Sequence, residues 1–184
     1  DVYKRQNHED MREVVKPYGI KYIHLPINKK NKLVQEKQLQ SLILDDFERP
    51  IAEFLIGSID NSGYIRRTEE DLIDDLAFTQ NIVVNESQLK SVLSKIQSLD
   101  PPGVGARSLQ ECLSIQLSRK ERDRPLISLS KNIIDNAFNE FTRKHYKKLQ
   151  DRFNINEEEL RSVFDEIAKL NPKPGGPLYA SVSP

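Results

Sequence analysis

The stretch LDPPGVGARSLQECL, from Leu99 to Leu113, constrains the fold of this chain more than any other. A residue that precedes a proline avoids the α conformation, and a proline has no N–H to donate, so a helix that arrives here must end near Leu99. Gly103 and Gly105 permit backbone angles that are closed to other residues, which allows a tight loop. Ser108 and a glutamate three residues later have the spacing of a capping box, so a new helix is predicted there. The stretch therefore predicts a helix, a rigid elbow and a second helix.

Apolar residues recur three and four positions apart throughout residues 36–170, which is the spacing of a buried helix face. Pro50 suits the first turn of a helix, and Thr68, Asn85 and Asn156 are predicted N-caps. The predicted apolar stripes are Leu39, Leu42 and Ile43; Ile51, Leu55 and Ile59; Leu72, Ile73 and Leu76; Leu89, Val92, Leu93, Ile96 and Leu99; Leu109, Leu113 and Leu117; Leu129, Ile133, Ala137 and Phe141 on one long helix; Tyr146, Leu149 and Phe153; and Leu160, Val163, Phe164, Ile167 and Leu170. The chain is therefore predicted to be all-α from residue 36 onward.

Segments rich in charge or in helix breakers suggest how the chain is divided. KERDRP, residues 120–125, is a charged linker that ends in proline, and we predict two small helical subdomains on either side of it, at 36–120 and 124–170. Residues 1–35 contain prolines and a glycine that interrupt any long helix, so they are predicted to be an irregular leader with at most one short strand. Residues 171–184 contain four prolines and two glycines and are predicted to be an extended linker.

One segment of the chain resembles another at a fixed offset. Asn85–Pro101 can be laid on Asn156–Pro172 with an offset of 71, and eight of the seventeen positions are then identical. Each copy follows a short helix and a turn, and each ends at a proline. Any capped amphipathic helix that ends in proline would show some of this similarity, but the shared cap, stripe and terminator favour two copies of one helix-turn-helix-like unit.

The charge of these units argues against a helix that reads DNA. The whole chain has a net charge of zero, but residues 36–100 carry six Lys or Arg against thirteen Asp or Glu. DNA affinity comes largely from Lys and Arg side chains that neutralise phosphates. The second helix of the later copy carries five carboxylates against Arg161 and Lys169. We therefore expect the units to pack together and to bind protein partners, and direct DNA binding is the alternative.

The DNA-binding alternative has its best support in one basic group of residues. Its members are Arg143, Lys144, Lys147, Lys148 and Arg152. The residues alone allow two interpretations of this basic patch, a solvated face or a contact for an acidic partner, and they favour neither.

No pattern in the sequence indicates catalysis, a metal ion or a cofactor. The histidines, His8, His24 and His145, do not have metal-ligand spacing with one another or with the single cysteine, Cys112. That cysteine lies near an apolar helix face, so it is predicted to be a buried small hydrophobe. GVGAR lacks the sequence of a phosphate-binding loop. No apolar run is long enough to cross a membrane, and the chain does not start with a signal peptide or a Met, so we expect a fragment of a protein that is not exported.

Three motifs in a fixed order resemble the core-binding domain of the bacterial sigma-54 family of RNA polymerase sigma factors. LDPPGVGARSLQECL is similar to the most recognisable segment of that family. IAEFLIGSIDNSGYI, from Ile51 to Ile65, is similar to the family's helix and D-x-x-G-Y turn, and LNPKPG, from Leu170 to Gly175, to the motif that closes the domain. Together the motifs cover about residues 36–176, and their combination is specific.

The resemblance implies a role in transcription initiation. It implies a non-catalytic protein of the bacterial cytoplasm that docks on core RNA polymerase through the beta and beta-prime subunits. The complete factor would also bind promoter DNA and await an ATP-dependent activator. The glutamine-rich amino-terminal region of the family is not recognisable in residues 1–35, and the promoter-reading domain is absent, so residues 171–184 would lead toward that missing domain.

The resemblance also singles out two sets of motif residues. In LDPPGVGAR these are Asp100, Pro101, Pro102, Gly103, Val104, Gly105, Ala106 and Arg107, and in LNPKPG they are Asn171, Pro172, Pro174 and Gly175. We call the first set the elbow. Either set binds the polymerase or sets the fold, and for the prolines and glycines of the elbow we expect the structural role.

Overall fold

The computed structural model describes residues 30–120 and 123–175, and regular structure within these ranges is helical. The helices are α1 (Lys30–Leu39), α2 (Glu48–Gly57), α3 (Glu69–Gln80), α4 (Glu86–Gln97), α5 (Leu109–Ser118), α6 (Pro125–Asn136), α7 (Phe138–Thr142), α8 (Tyr146–Phe153) and α9 (Glu157–Ala168). The prediction of an all-α chain is confirmed. Among the described residues, no helix has the length and apolar character that a membrane span requires.

The chain divides into two compact units. The first unit runs to Ser108 and includes the segment that starts at Lys173, and the second unit is Leu109–Pro172. This division differs from the predicted boundary at residues 120–125. The apolar face of α5 lies in the core of the second unit, so α5 belongs to that unit although a charged linker follows it.

The first unit packs α1 to α4 around one apolar core. Ile51 and Leu55 of α2, Leu72 of α3 and Leu89 of α4 are all fully buried in it. The described part of the unit begins with α1 at Lys30, so the helical region starts six residues before the predicted position. The predicted short strand and the rest of the leader, residues 1–29, lie outside the described residues.

The second unit packs α5 to α9 around a separate core. Ile133 and Phe141 are fully buried, and the Phe141 ring stacks on Phe164 with 4.5 Å between the ring centroids. The prediction of one long helix through Leu129 and Phe141 is wrong. Ala137 has φ −141° and ψ 35°, so α6 ends and the short α7 begins in a new direction. Phe141 lies in the core beyond this break.

The two related segments fold alike. Helices α4 and α9 start and end at positions that differ by the same offset of 71. Asn85 accepts from the N–H of Gln88, and Asn156 accepts from the N–H of Glu159, at 2.9 Å in each case. Each N3 side chain also bonds back to the asparagine N–H, so both helices begin with a complete capping box.

The helix that precedes each of these also ends alike. Helix α3 ends at Asn81 and α8 ends at Asn154, both in the left-handed conformation, with φ 54° and φ 51°. Asparagine tolerates this conformation better than most residues. The two segments therefore belong to two helix-turn-helix units whose helices end and begin alike, and we call them the first copy (α3–α4) and the second copy (α8–α9).

Candidate functional site: a junction of three motifs and two charged surfaces

The D-x-x-G-Y motif forms a tight turn after α2. The Asp60 carboxylate accepts from the N–H groups of Ser62 and Tyr64 at 2.8 and 3.0 Å, and the Asp60 N–H donates to the Tyr64 carbonyl at 2.7 Å. Gly63 has φ +93°, a conformation that L side chains rarely adopt. The motif residues thus build this turn from within.

The elbow pairs with this turn in the manner of two short strands. The Gly105 N–H donates to the Gly63 carbonyl at 2.8 Å, and the Ile65 N–H donates to the Ala106 carbonyl at 3.0 Å. Tyr64 and Ala106 form an isolated parallel bridge. Val104, Ala106 and Ile65 are buried. Two of the motifs that the sequence singled out therefore meet in the first unit.

The third motif returns to the same turn. The Gly175 N–H donates to the Ser62 carbonyl at 3.1 Å. A Cβ atom on Gly63 would lie 2.6 Å from the Gly175 nitrogen, and one on Gly175 would lie 2.5 Å from the Gly63 nitrogen, so the contact requires glycine on both sides. Residues 173–175 thus pack on the first unit rather than extend as the predicted linker, while residues 176–184 lie outside the described residues.

Contacts inside the first unit occupy the polar groups of the elbow. The Gln38 side chain accepts from the Asp100 N–H at 2.7 Å and donates to its carbonyl at 3.0 Å. Gln97 donates to the Gly105 carbonyl at 3.1 Å, and the Arg107 guanidinium donates to the Arg67 carbonyl. Two segments distant in sequence, α1 and residues 63–67, and the neighbouring Gln97 therefore hold the elbow in place.

The other end of LNPKPG is held inside the second unit. The buried Gln116 amide of α5 accepts from the Asn171 N–H at 2.7 Å and donates to its carbonyl at 2.5 Å. Cys112 is fully buried one turn earlier, as predicted. Sequence reasoning missed Gln116, although its place on the apolar face of α5 between Leu113 and Leu117 is a signal that could have found it.

The basic patch lies around α7 and α8 of the second unit. Lys147 pairs with Asp151 at 3.4 Å and stays 84% exposed, and Arg152 pairs with Glu140 at 3.2 Å. Arg143 and Lys148 are exposed and have no ion pair among the described residues. The predicted basic residues therefore lie on α8 and on the segment just before it, and Arg143, Lys147 and Lys148 are exposed there.

Sequence reasoning missed an acidic surface on α3 of the first unit. This helix carries five carboxylates and no basic residue. Glu69 pairs with Lys90 and Asp75 pairs with Arg67, at 3.3 and 2.5 Å. Glu70 and Asp74 are exposed one turn apart. The excess of acidic residues in 36–100 was the signal, but the count alone could not place them on one helix.

These observations can now be compared with known proteins. Residues 28–183 match the family model of the sigma-54 factor, core binding domain. The chain belongs to the sigma-54 factor family. The family match spans both units and all three motifs of the junction.

Individual relatives agree with this assignment. The chain is 40% identical over 129 residues to the RNA polymerase sigma-54 factor of Acidithiobacillus ferridurans, which is 70% of this chain and 26% of that protein. It is 34% identical over 140 residues to that of Bacillus subtilis strain 168, which is 76% and 30% of the two chains. It is 33% identical over 144 residues to that of Pseudomonas putida, and these residues are 78% of this chain and 29% of that protein. The matched region is thus less than a third of each of these sigma-54 factors.

One buried charge stabilises the second unit of this sigma-54 family chain. Glu166 of α9 is 3% exposed, and its carboxylate accepts from Lys120 at 2.7 Å and from Lys169 at 3.2 Å. The hydrogen bond from Lys120 is the main cause that lowers the pKa of Glu166 below its ordinary value of 4.5, and Lys169 adds to it. The carboxylate is occupied by these two lysines. Among the described residues, no group of three or more His, Cys, Asp or Glu is placed to hold a metal ion.

Proposed function

We propose that this chain is the polymerase-docking part of a sigma-54-type transcription initiation factor. It acts as a non-catalytic module that binds core RNA polymerase. The observation that carries this proposal is the match to the core-binding domain of the family over residues 28–183, which includes both helical units.

The partners of the complete factor follow from the same family membership. We infer contacts with the beta and beta-prime subunits of the polymerase, promoter recognition by regions outside this chain, and dependence on an ATP-driven activator. The bacterial cytoplasm is the corresponding location. Each of these inferences concerns the whole factor, because the region that matches this chain is only 26% and 30% of the length of two relatives.

The elbow and LNPKPG are best explained as residues that set the fold. Their backbone groups bond to Gly63, Ile65 and Ser62, and the elbow is also anchored by Gln38 and Gln97. A loop whose polar groups are used inside its own unit has few of them left for a partner. We therefore infer that these motifs act on polymerase binding through the shape of the first unit.

Binding to purified core RNA polymerase tests the proposed function directly. The whole chain, carrying an affinity tag, is immobilised and incubated with core enzyme that lacks any sigma factor. Retention of the core subunits, and its loss when untagged chain is added in excess, is the expected result. Failure of the folded chain to retain core enzyme at micromolar concentration would reject the proposal.

Direct DNA binding is the second candidate, and the exposed basic patch is the observation that favours it. In the same copy, however, the first turn of α9 carries Glu157, Glu158 and Glu159, all exposed, which would repel a duplex. Phosphate contacts make affinity fall steeply with salt. Retention of the chain on nonspecific duplex DNA with a steep salt dependence would support this candidate, and weak retention at all salt concentrations would reject it.

A further inference from the structure

We propose that one face of α3 and the turn after it form a docking surface. Its partner is a basic protein segment that has an apolar recess. We call this docking surface the α3 surface, and its residues are Glu70, Asp71, Asp74, Phe78 and Val83. The inference rests on the proposed function, because it places the segment it binds on core RNA polymerase. It is argued from exposure, from the second copy of the same unit, and from charge.

The α3 surface exposes large apolar side chains that the core of the first unit does not use. Phe78 is 87% exposed and Val83 is 83% exposed, whereas Leu76 and Val84 beside them are buried. An exposed phenylalanine leaves apolar surface in water, which costs free energy unless a partner covers it. Both side chains flank Asn81, so they lie on either side of one short turn.

The second copy shows that the fold does not require these apolar residues. When the two left-handed asparagines are superposed in register, Leu76 corresponds to Leu149, and both are fully buried. In that register Phe78 corresponds to Asp151, an exposed carboxylate. The unit therefore closes equally well with a charged residue in place of the phenylalanine.

The turn itself differs in the same sense. Three residues separate the asparagine at the end of α3 from the asparagine that caps α4, whereas one separates Asn154 from Asn156. The longer turn adds Val83, which points to solvent, and Val84, which joins the core. The first copy thus exposes large apolar side chains at a point where the second copy has an exposed carboxylate and the half-buried Ile155.

The charges beside these apolar residues indicate the chemistry of the partner. Glu70, Asp74 and Phe78 are four residues apart in turn, so they lie along one face of α3. Glu70, Asp71 and Asp74 are exposed, and none has an ion pair among the described residues. Such a surface attracts Lys and Arg and repels nucleic acid. A basic protein segment with a recess for Phe78 is the complementary partner.

The test measures the affinity of the whole chain for purified core RNA polymerase. The double variant Phe78→Asp with Val83→Ser removes both exposed apolar side chains, and at position 78 it places the residue type that the second copy carries there, Asp151. We expect its dissociation constant to rise about tenfold or more, because buried aromatic residues dominate interface energies. Charge reversal by Glu70→Lys with Asp74→Lys should also weaken binding, and more strongly at low salt.

A matched control comes from the same unit. Ile43 is 93% exposed and lies outside the α3 surface, so Ile43→Ser removes similar apolar area elsewhere. The control should bind core enzyme within about twofold of the unmodified chain, an interface effect of less than 1 kcal/mol. Equal losses in both variants would mean that general hydrophobicity, and not the α3 surface, governs binding.

The remaining outcomes separate failure of the proposed function from failure of this inference. If the unmodified chain does not bind core enzyme, the proposed function fails and this inference falls with it. If it binds and the double variant binds equally well, only this inference is overturned. A lower melting temperature of the double variant would show that another part of the chain covers the surface. Loss of a dimer in sedimentation, with core binding unchanged, would identify a second copy of this chain as the occupant. Both of these results would also overturn it.

Discussion

The first and second copies share a backbone design and differ in what they present to solvent. Both end their first helix at a left-handed asparagine, begin their second with an asparagine capping box, and bury a leucine fully in the first helix. Yet the first helix of one copy carries only acidic charge, and that of the other is mainly basic. Caps and buried apolar positions therefore define this unit, and its surface is free to take either sign of charge.

An ion pair at the equivalent position of each copy shows the same reversal of charge. Lys95 of α4 pairs with Glu48 of α2 at 2.6 Å, and the equivalent residue of α9, Glu166, pairs with Lys120 at 2.7 Å. Each pair joins the second helix of a copy to a residue outside that copy but in the same unit. The role of the position is kept while the charges are exchanged.

The strongest way to break the comparison is to remove the buried leucine from each copy. Leu76→Ala and Leu149→Ala should each lower the free energy of unfolding by about 2–5 kcal/mol, because both side chains are fully buried and leave a cavity. Denaturant titration followed by circular dichroism measures the loss. Phe78→Ala is the control, with an expected change within about 0.5 kcal/mol. A small effect at one leucine only would show that the copies are not equivalent.

The contact between Gly63 and Gly175 lies in the first unit, so a substitution there should destabilise that unit. Gly63→Val combines a positive φ with an overlap on Gly175, and it should cost about 3 kcal/mol or more. Thermal unfolding measures this loss. Gly57→Ala is the matched control, since a Cβ atom there meets nothing within 4 Å and alanine favours the helix. If both variants were equally stable, the close packing of the two glycines would be in doubt.

The pH dependence of the stability that Glu166 contributes tests the comparison of these two ion pairs. Because the folded pKa lies below 4.5, the ionised carboxylate stabilises the fold fully above about pH 4.5, and this contribution is lost as the pH falls through the folded pKa. At neutral pH, Glu166→Gln should cost about 1.5–3 kcal/mol, the value of hydrogen bonds to a charged group. The difference in unfolding free energy between the two chains should shrink in acid. A constant difference from pH 7 to pH 3 would contradict the assignment.

The two capping boxes give the smallest and most closely matched effects. Asn85→Ala and Asn156→Ala should each cost about 0.5–2 kcal/mol, because each leaves a helix N–H without its side-chain acceptor. Asn→Asp at the same positions keeps the acceptor and serves as the control. Unequal losses in the two alanine variants, measured by chemical denaturation, would mean that the caps do not contribute alike.

Local signals in the sequence account for most of the helices. Caps at Thr68, Asn85 and Asn156 and the apolar stripes identify helices α3, α4 and α9 correctly, since these depend on neighbouring residues. The break at Ala137 was missed because the apolar spacing continues through it. The boundary between the units was predicted after α5 and lies before it. Helix α5 follows the elbow closely in sequence, but its buried face packs in the second core, which local spacing does not reveal.

The candidate site was predictable only in part. The three motifs were found as separate stretches, but their meeting at Gly63 and Gly175 depends on a return of the chain over more than a hundred residues. No local pattern reports such a contact. Tertiary packing decides that contact. The exposure of Phe78 was not predicted either, although its spacing of four and eight residues from Asp74 and Glu70 places it on the acidic face of α3.

Competition for core enzyme tests the central claim most directly. A labelled full-length sigma-54 factor is bound to core RNA polymerase, and the unlabelled chain is added in increasing amounts while anisotropy reports the bound fraction. The account predicts that the chain displaces the factor completely, because both use the same core-binding surfaces. If the factor stays bound in the presence of saturating chain, the claim that this chain is a polymerase-docking module is contradicted.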